Sequence, residues 1–244
     1  MNKKEVEKKL AILDFDGTLS KGYISMDFME YLNQHNPHLY NHGVYGDQQK
    51  LLNNLEKGEI NYEKWIELWA NLWAEGIYCN LKKEMDRLAE DFFTKFKKNI
   101  YPSSYKLVKI LKANGYYVVL LSVGSYEVIS LAGKELGVDE VIATRCQIYE
   151  KHGGEKIYTD KLITGLHLPG GKKKALEKIL KREEFSLEES LAAGDSEESD
   201  LEVLKMVDIP IALNPHIKLR IFAEERGWHI ADHTSVLDLV KKIA

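Results

Sequence analysis

The stretch Leu10-Ala11-Ile12-Leu13-Asp14-Phe15-Asp16-Gly17-Thr18-Leu19 decides how the rest of the chain is read. Its first four residues form an apolar run, too short for a helix and without helical period, that stops at Asp14. Such a run predicts a buried strand of a parallel sheet. Two later runs end in the same way, 116–121 (YYVVLL) at Ser122 and 190–193 (SLAA) at Gly194 and Asp195. Ligands of open α/β sheets sit in the crevice beyond the carboxyl ends of the strands, so polar residues that follow these runs are expected to converge.

Helical patterns alternate with the strands. Residues 103–114 are closed by Gly115, residues 126–136 by Gly137, and residues 174–182 follow Gly170-Gly171. Glycine after the last periodic residue is a helix stop. Further short runs at 141–143, 210–213 (PIAL) and 228–230 add strands, and the βαβ series predicts a doubly wound parallel α/β sheet. Between Gly22 and about Asn99 the alternation gives way to helix alone. Phe28, Met29 and Leu32 share one face, Leu51, Leu52 and Leu55 another, and Trp65, Trp69, Leu72 and Trp73 a third. A fourth stripe runs from Leu81 to Phe96, and Pro102 marks the return to the sheet. This segment reads as a helical insertion over the carboxyl edge. Its tryptophans are expected to pack the core of a helical bundle; a pocket for an aromatic or choline-like group is the alternative. Glycines and β-branched residues in 147–166 predict a hairpin.

Composition bounds the function. With 244 residues, 44% hydrophobic and 30% charged, the chain is an ordinary globular protein of one large domain or one domain with an insertion. A net charge of −4 lacks the basic excess that nucleic-acid binding needs. Cys79 and Cys146 have no metal or redox spacing, and no run approaches the roughly 18 apolar residues of a membrane span. The expected setting is cytoplasmic, with no membrane and no nucleic-acid partner.

Chemistry is concentrated at the strand ends. Residues two apart in an extended or tightly turning segment project to one side, so Asp14 and Asp16 can both face the crevice. Two carboxylates that close resist joint ionisation unless a cation separates them or one keeps a proton. One can then be a nucleophile and the other a proton donor. Ser122-Val123-Gly124-Ser125, between a strand and a helix, offers hydroxyls and backbone N–H groups to an anion. Asp195, with Asp200 five positions later, provides oxygen ligands of the type magnesium takes. Lys172-Lys173-Lys174 supplies an ammonium to offset the acids.

In this order, DFDGTL, strand-Ser122-x-Gly124, Lys172 and Gly194-Asp195 with Asp200, the chain resembles the haloacid dehalogenase superfamily, in particular its phosphoserine phosphatase-like subgroup. Asn214-Pro215 and Gly227-Trp228 are similar to that subgroup's carboxyl-terminal part. The resemblance implies a Rossmann-like core of residues 1–21 and 100–244 with a helical cap of residues 22–99. It implies a Mg2+-dependent hydrolase of a small phosphomonoester, monomeric or a homodimer. Asp14 would be the nucleophile and Asp16 the general acid and base. Thr18, Ser122, Val123, Gly124 and Lys172 would serve the phosphoryl group, with Lys173 as the second choice for the lysine. Asp14, Asp195 and the backbone carbonyl of Asp16 would hold the metal, and Asp200 would anchor a metal-bound water or Lys172. Where phosphoserine phosphatases place an acid for the substrate's amine and an arginine for its carboxylate, this chain has Tyr23 and Trp69, which disfavours phosphoserine itself. A phosphotransferase or mutase, or a non-catalytic phospho-ligand-binding module, are the alternatives on such a scaffold.

Overall fold

The computed structural model describes residues 8–182 and 185–243. Strand β1 (Lys8–Leu13) is buried from Leu10 onward. Side chains alternate along a strand, so Ala11 and Leu13 enter one hydrophobic cluster while Leu10 and Ile12 enter another on the opposite face. That is why the run is continuously apolar. The chain then forms α1 (Ile24–His35), α2 (His42–Glu56), α3 (Tyr62–Gly76) and α4 (Lys82–Phe96), followed by a 3-10 turn at Lys97–Asn99. Asn41 and Asn61 cap α2 and α3, accepting from the N–H groups of Gly43 and Lys64 at 3.0 and 2.9 Å.

The return passes through α5 (Pro102–Ala113), β2 (Tyr117–Ser125), α6 (Tyr126–Leu136) and β3 (Glu140–Thr144). An antiparallel hairpin, β4 (Cys146–Glu150) and β5 (Lys156–Leu162), precedes α7 (Gly171–Leu180) and β6 (Phe185–Gly194). The chain ends with α8 (Glu197–Leu204), β7 (Ile209–Leu213), α9 (Ile217–Arg226), β8 (His229–Ala231) and α10 (Val236–Ile243). Six strands form one parallel sheet in the order β3-β2-β1-β6-β7-β8. The chain runs from β1 outward through β2 and β3 to one edge and then crosses to β6, β7 and β8 on the other side of β1, a reversal that opens a crevice at the carboxyl end of β1.

The helical segment is stitched to the sheet where it leaves and where it returns. Lys21 N–H donates to the Asn99 carbonyl at 2.9 Å, and Tyr101 N–H to that of Leu19 at 3.0 Å. The buried hydroxyl of Ser104 adds a bond to the Leu19 carbonyl at 2.7 Å. One hydrophobic cluster runs from Phe28, Trp73 and Phe92 of the helices into Val118 and Leu120 of β2 without a break. The hairpin joins the helices too, because Tyr158 N–H donates to the Asn80 carbonyl and the Tyr158 carbonyl accepts from Cys79 N–H, both at 3.0 Å.

Three boundaries differ from the sequence-based expectation. Strand β2 continues through Ser122–Ser125, its pairing with β3 shifting register after Leu121. Helix α7 starts at Gly171 rather than 174, because Gly170 adopts a left-handed φ of +68° and its carbonyl accepts from Lys174 N–H at 3.0 Å. Strand β6 begins at Phe185, ahead of the apolar run, its early part pairing with Lys8 and Lys9. Among the described residues no helix is long and apolar enough to cross a membrane.

One buried acid lies away from the crevice. Glu127, in the first turn of α6, has an Oε2 with no hydrogen-bond partner among the described residues, and burial pushes its carboxyl up to about 7. The folded state thus retains a proton that the unfolded chain loses in the ordinary glutamate range, so this group's contribution weakens as pH rises toward and through about 7. Glu127→Gln is expected to raise Tm more at pH 8 than at pH 5 in parallel melting curves. An equal shift at both pH values would contradict a neutral buried acid.

Candidate active site

Asp14 is the first residue beyond β1, and its N–H extends the ladder to the Ala193 carbonyl of β6 at 3.0 Å. The backbone thus fixes where its side chain starts. The loop turns at once: Leu19 and Ser20 N–H both donate to the Phe15 carbonyl, at 2.8 and 3.2 Å. Gly17 carries the turn with φ +78°, and a Cβ there would lie 2.1 Å from Asp195 Oδ2. No residue with a side chain fits that position. Asn214, itself left-handed at φ +51°, secures the turn by donating to the carbonyls of Gly17 and Thr18 at 3.2 and 3.0 Å.

The buried ammonium of Lys172, in the first turn of α7, lies 2.5 Å from Asp14 Oδ1 and 2.7 Å from Asp200 Oδ1. Asp200 Oδ2 accepts from the N–H groups of Asp195 and Ser196 at 3.1 and 3.0 Å. Asp200 therefore holds the turn that carries Asp195 and the lysine that meets Asp14. Gly194 permits this approach, since a Cβ there would lie 2.6 Å from Asp200 Cβ. Lys173 points elsewhere, partly exposed and 3.8 Å from Glu202. Burial opposes a charge on Lys172, but Asp14 and Asp200 outweigh it and hold the ammonium above its ordinary range.

The acids differ in their surroundings. Burial pushes Asp14 up to about 6, against the pull of Lys172. It pushes Asp16 up to about 8, the single backbone bond from Ile24 N–H at 2.7 Å opposing it. Asp195 also rises to about 8, through burial and then through its carboxylate neighbours Asp14 and Asp200. Thr18 donates its hydroxyl toward both Asp14 Oδ2 and Asp195 Oδ1, at 3.0 and 3.2 Å. A residue expected to serve a phosphoryl group thus has its hydroxyl turned to the carboxylates.

Ser122, Val123 and Gly124 line the same cavity of about 460 Å³ as Asp14, Asp16 and Asp195. Ser122 Oγ accepts from Gly124 N–H at 3.0 Å. Ser25, at the start of α1, accepts from Ser125 N–H at 2.8 Å and ties this strand end to the helical segment. Ser25 and His216, whose Nε2 is 3.4 Å from Asp195 Oδ2, were not singled out by sequence reasoning, since neither stands in a distinctive local pattern. Asn214 was visible only through the Asn-Pro pair. Tyr23, Trp65 and Trp69 also line the cavity, whereas Trp73 is fully buried.

A hard cation suits this donor set. Asp14, Asp195 and Asp200 each bring a carboxylate oxygen within 4.8 Å of the others. Asp200 spends Oδ1 on Lys172 and Oδ2 on two backbone N–H groups, whereas Asp14 Oδ2 and Asp195 Oδ1 meet only the hydroxyl of Thr18, which makes Asp14 and Asp195 the less committed pair. Two close, buried carboxylates, of which Lys172 meets only Asp14, match the few-carboxylate coordination of magnesium.

The profile of haloacid dehalogenase-like hydrolases matches residues 11–205. A Streptomyces azureus protein named for inhibition of morphological differentiation is 29% identical over 76% of this chain and 65% of its own length. Phosphoserine phosphatase of Methanocaldococcus jannaschii is 25% identical over 85% of this chain and 86% of its own. The chain spans 42% and 65% of the first two curated relatives it matches. A Bordetella pertussis structure of unknown function superposes with a TM-score of 0.77 at 22% identity, covering 93% of this chain and all of the other (100%).

Removing one partner of a buried ion cluster leaves uncompensated charge. In metal-free protein at pH 7.5, Lys172→Met is expected to lower stability by about 3–5 kcal/mol in urea unfolding. Lys173→Met should stay within about 0.5 kcal/mol of wild type. Equal effects would remove Lys172 from its place in the cluster.

Proposed function

The chain belongs to the haloacid dehalogenase-like hydrolase family, and from that premise we propose that it hydrolyses a small phosphomonoester through an aspartyl-phosphate on Asp14. The observation that carries this reading is the unequal treatment of two neighbouring acids. Asp14 is paired with Lys172, while Asp16, with no ammonium against it, is pushed up to about 8 and keeps its proton near neutrality. Two carboxyls separated in this way are a nucleophile and an acid.

A carboxylate oxygen of Asp14 bonds to phosphorus as the bond to the leaving oxygen breaks, and Asp16 gives that oxygen its proton. Asp16, now ionised, takes a proton from water as the water oxygen attacks phosphorus, and cleavage of the acyl–phosphorus bond returns the Asp14 carboxylate. Ser122, with the N–H groups at the end of β2, orients the phosphoryl group, and Lys172 offsets its charge. Asp14, Asp195 and the backbone carbonyl of Asp16 would hold magnesium, which would supply charge neutralisation. Asp200 positions Lys172 and the Asp195 turn. Residues 22–99 act as a cap on the core formed by 1–21 and 100–244, and β4–β5 docks on the cap through Tyr158.

The named activity of the Methanocaldococcus jannaschii relative supports a phosphatase. Phosphoserine itself fits poorly, since among the described residues no arginine lines the cavity to meet its carboxylate.

With an aryl phosphate and Mg2+, Asp14→Asn is expected to reduce phosphate release by roughly 10³-fold or more. EDTA should stop release and magnesium restore it; indifference to both, or an active variant, would contradict the mechanism. Asp16→Asn should slow alkyl phosphates more than aryl phosphates, because poor leaving groups depend most on proton donation. Equal losses would remove Asp16 from that role.

A further inference from the structure

We infer, resting on the phosphatase reading, that the leaving group is an alcohol carrying an organic ammonium and no second anionic group. The cavity that begins at Asp14 and Ser122 continues under the helices, where Tyr23, Tyr62, Trp65 and Trp69 line it. Three of these rings form a file, with centroids 5.7 Å apart for Tyr62 and Trp65 and 6.3 Å for Trp65 and Trp69. The Nε1 groups of both tryptophans are buried without a partner among the described residues. What the indoles bring to the chamber is therefore ring surface, not hydrogen bonds.

Charge completes the pattern. Among the described residues neither lysine nor arginine lines this cavity, and its histidine, His216, is turned to Asp195 at 3.4 Å, so a carboxylate or a second phosphate on the leaving group would lie there without a cationic partner. Glu56, at the end of α2, also lines it, is exposed, and has no ion-pair partner among the described residues. The other glutamate of the lining, Glu198, is already paired with Lys218 at 3.1 Å. A neutral alkyl group would use the rings and leave Glu56 unanswered. An ammonium with an apolar surround uses both, because cations are attracted to aromatic faces and to the carboxylate. A cavity of about 460 Å³ holds a small phosphoester with such a headgroup.

The test compares phosphocholine with 3,3-dimethylbutyl phosphate, which has the same shape with carbon in place of the charged nitrogen. Binding to the Mg2+-loaded Asp14→Asn protein is read by tryptophan fluorescence, so turnover is not needed, and aryl phosphate hydrolysis by wild type is measured alongside. The ammonium ester is expected to bind about 10-fold tighter or more. Glu56→Gln and Trp69→Leu should each pull that ratio toward one while the circular dichroism stays native. Equal affinities, or tighter binding of the carbon isostere or of phosphoserine, would overturn the inference. Selectivity without hydrolysis of any ester would support this chamber and reject the phosphatase reading. Aryl phosphate hydrolysis without selectivity would reject the chamber and keep the phosphatase.

Discussion

The ammonium of Lys172 is shared between Asp14 and Asp200 at the carboxyl edge of the sheet, and three separate parts of the fold meet through it. Asp14 ends β1, Asp200 opens α8, and Lys172 opens α7. Buried charges of one sign are tolerated only when each finds a partner, so this contact dictates how closely the two helices approach the strand end. It explains two glycines as well. Gly17 and Gly194 stand where a Cβ would strike Asp195 or Asp200, so the compact acidic cluster and the loops around it require one another.

The sheet topology makes that meeting unavoidable. Because β1 pairs directly with β6, Asp14 and Asp195 leave neighbouring strands side by side, and β2 on the other flank brings Ser122 to the same crevice. The helical segment then roofs the crevice, tied to it through Ser25, and its residues line one cavity with the acids. Desolvation raises Asp16, while the shared lysine restrains Asp14. Burial and one ammonium are sufficient to give adjacent carboxyls different states near neutral pH.

Much of this was legible in the sequence because strand ends are local features. Apolar runs halted by Asp14, Ser122 and Gly194-Asp195 mark both the sheet and the crevice, and helical periodicity marks the insertion. Periodicity reports which residues are buried but not what they face. Trp65, Trp69 and Trp73 share a stripe and all three enter the core cluster as expected, yet Trp65 and Trp69 also form part of the cavity wall, which Trp73 does not reach. The hairpin was readable from its glycines, whereas its docking through Tyr158 onto Cys79 and Asn80 depends on backbone pairing between distant segments. Nothing local in the sequence distinguishes Glu127 in the first turn of α6, and only the packing around that helix shows it buried. Helix α7 starts three residues ahead of its periodic pattern because the left-handed Gly170 begins the helix before any apolar period does.

Bonding of phosphorus to Asp14 is tested most directly by reductive trapping. Protein turning over an aryl phosphate is acid-quenched and treated with borohydride, which reduces an acyl phosphate to an alcohol, and the peptides are sequenced by mass spectrometry. Reduction is expected at Asp14 alone, dependent on both substrate and magnesium. Reduction at Asp16 or Asp195, or steady hydrolysis with every carboxyl unreduced, would contradict it.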